Sequence, residues 1–296
     1  MLRNTRAAAE PTTPSHMHSP NAASAILTAL LVLACSGGEI AGQSTPEPPQ
    51  ESPSPEEPTD REPAETGSAA VAPIFDVAPW QTLLDTYVTS DGGVRYSALR
   101  ENAEHRAALA RLVDAVGSAE VSEGGRDARL AFFINAYNIL TMHAVLERWP
   151  IESVMQSEGF FDAQAHRVAG VDRTLNQLEG DVIRGEEFGE PRIHFAVNCA
   201  SVGCPPLAQR AYTAANLEEQ LSRQTDAFVR GTSRIERGRE RVSVSQLLEW
   251  YADDFGGPEG VRAFLVAHLE GEDAAFVRDP STRIEHFPYD WSLNGR

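Results

Sequence analysis

The chain has 296 residues, 42% of them hydrophobic, and a formal net charge of -18. So acidic a balance repels phosphate backbones and anionic bilayers, which argues against nucleic-acid binding and against lying flat on a membrane surface. The three cysteines cannot all pair within one chain; if one is spent elsewhere, Cys199 and Cys204 remain as a possible couple.

Residues 1–35 read as an export signal. Arg3 and Arg6 make a weakly basic start, and residues 25–34 form an apolar run. At 1.5 Å rise per residue that run is about 15 Å long, half of a bilayer's hydrocarbon thickness, and too short to span it. Val32, Leu33, Ala34 and Cys35 then resemble the lipobox of bacterial lipoproteins, in which the cysteine is lipidated and becomes the new N-terminus. Met17 is an alternative start that leaves only His18 before the run. That resemblance implies a lipid anchor on Cys35 in the cell envelope. Ser36 rather than Asp after the cysteine implies the outer membrane, with the domain facing the periplasm or the cell surface. Residues 36–72 are rich in Pro, Glu, Ser and Thr and bury too little apolar surface to offset ordering, so they read as a disordered tether.

Residues 73–296 carry no second linker or repeat and read as one mixed α+β domain, helix-rich with a small sheet. Trp80, Leu83, Leu84, Tyr87 and Val88 mark an amphipathic helix that a turn at residues 90–93 ends. An extended piece at residues 94–96 precedes a second helix marked by Leu109, Leu112, Val113 and Val116. Residues 127–149 are apolar on nearly every side, which predicts a central core helix ending at Pro150. Asn135 and Asn138 interrupt it, and a buried amide must find a partner: either a clamp on a neighbouring loop or a group facing a ligand. A small hairpin near residues 166–171 follows, then the capping-box pair Thr174 and Gln177 opening a short helix. Glu179 and Arg184 on it are five apart, not the spacing of an α-helical pair, so either is available to Arg192 or a ligand. Beyond residue 207 the pattern predicts a helix over 213–229, a hairpin around Arg237, Gly238 and Arg239, and a short helix running into Asp253 and Asp254, taken as solvated cap residues. A helix over 260–269 and an extended piece at 284–287 complete it.

Residues 192–207, RIHFAVNCASVGCPPL, hold the densest chemistry. Alternation of Ile193, Phe195 and Val197 with His194 and Asn198 predicts a strand with both polar groups on one face. Gly203, Pro205 and Pro206 then force a loop bearing Cys199, Ser201 and Cys204. Cys199 is the candidate nucleophile, with His194 and Asn198 as catalytic partners and Asn135, Asn138, Glu179, Arg192 and Ser201 as binding groups. On an ideal strand His194 and Cys199 face opposite ways, so His143, His166 or His286 is an alternative base. A Cys199 to Cys204 disulfide competes with the nucleophile, since thiols outside the cytoplasm tend to oxidise. A zinc site on His194, Cys199 and Cys204 lacks a further ligand pair, so neither metal nor cofactor is expected.

The runs LAFFINAYNILT, LNQLEGDVIR, PRIHFAVNCASVGCPPL, AYTAANLEEQL, EWYADDF and YDWSLN, in that order, resemble the DUF547 family, a domain of unknown function. The resemblance implies an intact mixed α and β domain with His194, Asn198, Cys199 and Cys204 at motif positions, without roles. Two functions are compatible with these residues. One is a cysteine-dependent hydrolase or transferase acting on an envelope peptide or amide. The other is a non-catalytic binding or scaffold lipoprotein, with an unidentified envelope ligand or protein partner and a structural disulfide.

Overall fold

A computed structural model describes residues 74–295. The stretches read as an export signal and a tether, with Cys35, lie outside those residues.

The fold is built around α4 (Arg126–Arg148), which carries no glycine or proline and places Asp127 in its first turn and Arg148 in its last, matching the helix dipole. Its length and composition are those of a membrane span, yet 89% of its apolar window is buried inside the protein. It is the core helix expected from the sequence. Before it come α1 (Ala78–Tyr87), α2 (Tyr96–Glu101) and α3 (Ala103–Ser118), which pack Trp80, Leu83, Leu99 and Leu109 onto the same core. The extended piece at residues 94–96 is reduced to Val94, which bridges Val88 and Gly295, because Tyr96 already begins α2.

Strands β1 (His166–Val168) and β2 (Val171–Arg173) form the expected hairpin. Thr174 and Gln177 then close a reciprocal capping box on α5 (Leu175–Gln177). The chain continues as a π-helix, Leu178–Ile183, in which carbonyls bond five residues ahead, so Glu179 O accepts the Arg184 N–H at 2.9 Å. That winding aligns the two residues that α-helical spacing would separate.

The remaining elements make a second, smaller core. Helix α6 (Leu217–Thr232) starts later than its apolar pattern suggests, because Asn216 ties Thr213 N–H and Ala211 C=O into a preceding turn. Strands β3 (Arg234–Glu236) and β4 (Arg241–Ser245) are antiparallel, and β5 (Arg283–Phe287) joins β4 in parallel, with Val244 opposite His286. Helices α7 (Leu247–Trp250), α8 (Gly257–His268) and α9 (Gly271–Arg278) share this core with the sheet; the sequence reading did not distinguish α9.

Residues 193–198 are not a strand. Pro191–Phe195 is a 3-10 turn, started by Pro191 and by the Glu190 carboxylate accepting the Arg192 N–H. Ile193, Ala196 and Val197 enter the first core while Phe195 enters the second, so both faces are buried and the alternation mimics a strand. The backbone groups a strand would offer to a neighbour are taken locally: Ala196 N–H by Ile193 O, and Ala196 C=O and Asn198 N–H by the Asn138 side chain. His194 therefore sits at the seam between the two cores.

Candidate functional site

The loop that follows this turn is shaped by amides. Asn138, 3% exposed, donates to Ala196 O at 2.9 Å and accepts from Asn198 N at 2.8 Å. Asn198 in turn donates to Pro205 O and accepts from Ala200 N–H and Asn294 Nδ2. The bond to Ala200, two residues on, is an Asx turn, and it holds Ala200 at φ 61, a left-handed conformation rare for a residue with a side chain. Asn135 makes the same kind of clamp on Tyr212, bonding both its N–H and its C=O. These three amides bond to backbone and to one another's loops rather than to the cavity. Their role is to fix the loop.

That loop holds Cys199 half-buried, with three contacts around its sulfur and one to its backbone N–H. Cys204 Sγ lies at 2.6 Å, Tyr289 Oη at 3.0 Å and Ser201 Oγ at 3.2 Å, while the Cys199 N–H donates to Cys204 Sγ at 2.9 Å. No disulfide bond joins the two cysteines in this structure. Burial pushes the Cys199 thiol up, but hydrogen bonds from Cys204, Ser201 and Tyr289 outweigh it and bring Cys199 below the ordinary thiol value. Burial and the bond to Cys199 push Cys204 well above it. Of the two, Cys199 is therefore the more acidic thiol. Tyr289, raised by burial and by the two sulfurs, keeps its proton and donates.

Tyr289 arrives from the C-terminal segment, which lies along the cysteine loop. Val202 N–H bonds to Ser292 O, Gly203 N–H to Asp290 O and Asn294 N–H to Ala200 O. Gly203 permits this approach: a Cβ there would stand 2.9 Å from Asp290 N and from the Tyr289 ring.

Cys199, Cys204, His194, Glu179 and Tyr137 line one cavity of about 40 Å³ at the seam, together with Phe161 and the rings of Trp250, Tyr251, Tyr289 and Trp291. His194 is 1% exposed. Its Nε2 meets Asp254 Oδ2 at 2.6 Å, and its Nδ1 has no hydrogen-bond partner among the described residues. Asp254 also receives Arg184 through two bonds, at 2.7 and 2.9 Å. Burial works to raise the Asp254 carboxyl, but His194 and Arg184 overcome it and hold it well below the usual carboxylate range. An ionised Asp254 fixes the imidazole proton on Nε2, which leaves the Nδ1 lone pair for other chemistry. Tyr251 stacks on His194 at 3.9 Å, lies under the Arg184 guanidinium at 4.8 Å and donates to Glu179 at 2.7 Å.

Asp254 is a correction to the sequence reading: it is an ion-paired partner of the site and not a solvated cap. Neighbouring acids do point apart on the 3-10 turn Ala252–Phe255, but only the tertiary fold brings Arg184 and His194 to one of them. Tyr251 and Tyr289 also belong here; their positions in the EWYADDF and YDWSLN runs were the available signal. Arg192 is elsewhere, paired with Glu190 and Glu218, and neither Glu179 nor Arg184 reaches it. His143 faces Glu147, and neither His166 nor His286 lines the cavity. No histidine nitrogen is hydrogen-bonded to the Cys199 sulfur among the described residues. Nor, among them, does any group of three His, Cys, Asp or Glu side chains gather as a metal site would require.

Residues 121–229 match the family model described as "Protein of unknown function, DUF547", so the chain carries a DUF547 domain over that span. The span contains the central helix and the cysteine loop, while Tyr251, Asp254 and Tyr289 lie beyond it. No curated protein and no solved structure matches the chain.

Proposed function

We propose that this DUF547 domain is a cysteine-dependent hydrolase or transferase acting on a peptide or amide of the cell envelope, tethered there through a lipid on Cys35. The observation that carries the reading is the Cys199 sulfur, surrounded by Cys204, Ser201 and Tyr289 as donors, on the wall of the cavity that also holds the Asp254-oriented His194.

The chemistry follows from those groups. Cys199 thiolate attacks the carbonyl carbon, forming a C–S bond as the amide C–N bond breaks. The Cys199 thiol proton, taken up by the His194 Nδ1 lone pair, passes to the departing amine. The freed Nδ1 lone pair then takes a proton from the water or acceptor that attacks the thioester, and the thiolate is restored. Asn198 acts through the loop it shapes and is a positioning residue.

The test is mass spectrometry of the reduced full-length protein with an electrophilic acyl probe. One adduct on Cys199 is expected, none on a folded Cys199→Ala protein, and a long-lived adduct on His194→Ala. An unreactive Cys199 in folded, reduced protein sinks the reading. Replacing Cys35 with Ser is expected to move the protein from the membrane to the soluble fraction.

The close approach of the two sulfurs favours a second reading, a binding or scaffold lipoprotein in which Cys199 and Cys204 close as a disulfide. A ring this small is worth roughly 2 kcal/mol in the chain-entropy account. Thiol counting without reductant separates the two: the enzyme requires both thiols free, whereas the scaffold requires neither and a lower Tm on reduction.

A further inference from the structure

The cavity beside Cys199 has a lopsided chemistry that nucleophilic attack does not use. Glu179 is the one carboxylate on its wall, and no arginine or lysine lines it. Glu179 Oε1 accepts the Tyr251 hydroxyl, while Oε2 has no hydrogen-bond partner among the described residues. The guanidinium nearest in the network, Arg184, is held by both Asp254 oxygens and by the Tyr251 ring. Asn176, His194, Val197 and Leu247 also line it, and one side is aromatic: Trp250 and Trp291 stack at 5.8 Å, and Tyr289 sits 5.0 Å from one and 4.6 Å from the other.

We propose that this cavity binds a primary ammonium group on a short alkyl arm, with Glu179 as counter-ion and the Trp250, Tyr251 and Tyr289 rings as its walls. The identification of the ligand as an acyl donor rests on the nucleophile reading of Cys199; the binding itself does not. Three alternatives are disfavoured on physical grounds. An anion would face the Glu179 carboxylate with no arginine or lysine on the wall to offset it. A neutral apolar group would strip water from the free Glu179 oxygen without replacing its hydrogen bond. A quaternary ammonium would gain the ring faces but has no N–H to give that oxygen. A protonated amine satisfies carboxylate and rings together. The cavity, about 40 Å³, admits little more than one such arm. Because a carboxylate stabilises the charged form, an amine held by Glu179 keeps its proton and cannot itself attack a thioester. The ammonium is therefore a recognition handle on the acyl donor, close to the bond to be cut.

Trp250 and Trp291 make the test direct. Full-length Cys199→Ser protein, in which thiol chemistry is absent, is titrated at pH 7 with n-butylammonium chloride, n-butanol and sodium butyrate while tryptophan fluorescence is followed. Saturable quenching or enhancement is expected for butylammonium alone, weakening with salt. Glu179→Gln is expected to weaken it about tenfold, the loss of one charge-assisted bond. Equal responses to butanol and butylammonium, or an unchanged affinity in folded Glu179→Gln, overturn the proposal. If that variant does not fold, the comparison of ligands on the intact carboxylate still decides. An inert Cys199 with butylammonium bound as expected removes the enzyme reading and leaves the ammonium site standing. A reactive Cys199 without selective binding does the reverse.

Discussion

The ionisation of Cys199 depends on three side chains that differ in kind. Cys204 is another weak acid, Ser201 is locked inside the loop at 1% exposure, and Tyr289 belongs to a segment ninety residues away in sequence. Removing the Tyr289 hydroxyl deletes one donor to the charged form without touching the loop. Tyr289→Phe is therefore expected to raise the midpoint of Cys199 alkylation against pH by up to about one unit, since a hydrogen bond is worth about 1 kcal/mol and a unit is 1.36. Rates of iodoacetamide labelling between pH 5 and pH 10 read this; an unmoved midpoint denies Tyr289 that part. Asp254 sets a different dependence. Its folded carboxyl is held below the unfolded value of about 3.9, so its contribution is present above that pH and is lost as pH falls through the folded value. Asp254→Asn is expected to lose roughly 1–3 kcal/mol at pH 7, the range for charge-assisted hydrogen bonds lost at a half-buried ion pair. The two unfolding curves should converge below pH 4, which urea titrations across that range would check.

Two helices decide what the site can contain. Helix α4 contributes Tyr137 to the cavity and sends Asn135 and Asn138 one helical stripe away to clamp loops. Asn138→Ala strands a buried N–H on Asn198 and a C=O on Ala196, each costing about 1–3 kcal/mol. A thermal shift of several degrees downward is expected, with faster labelling of Cys204 as the loop loosens. A Tm within a degree of the parent would show the clamp to be dispensable. The π-helical turn carrying Glu179 was not legible in the sequence, because a five-residue spacing between an acid and a base has no meaning until the winding is known. Its capping box was legible, since Thr174 and Gln177 satisfy each other within four residues and need nothing from the rest of the chain.

Across the whole domain, the site is a product of the seam. Ile193 and Phe195 anchor one turn in two different cores, and the C-terminal segment lies along the cysteine loop, bonding to Ala200, Val202 and Gly203 and also to Glu152 and Val94. A chain ending at residue 287 is expected to lose stability and Cys199 reactivity together. It forfeits Tyr289 and the backbone bonds to Val202 and Gly203, which cooperative unfolding and labelling rates would both report. The sequence by itself determined the central helix, the β1–β2 and β3–β4 hairpins, and the importance of residues 192–207, because periodicity, turn chemistry and residue type act over a few positions. Only the tertiary structure decided that His194 lies on a turn and not a strand, that Asp254 and not Asn198 holds its imidazole, and that Tyr289 reaches the Cys199 sulfur. Those contacts join residues sixty to ninety positions apart, and no local pattern encodes which buried face will meet which.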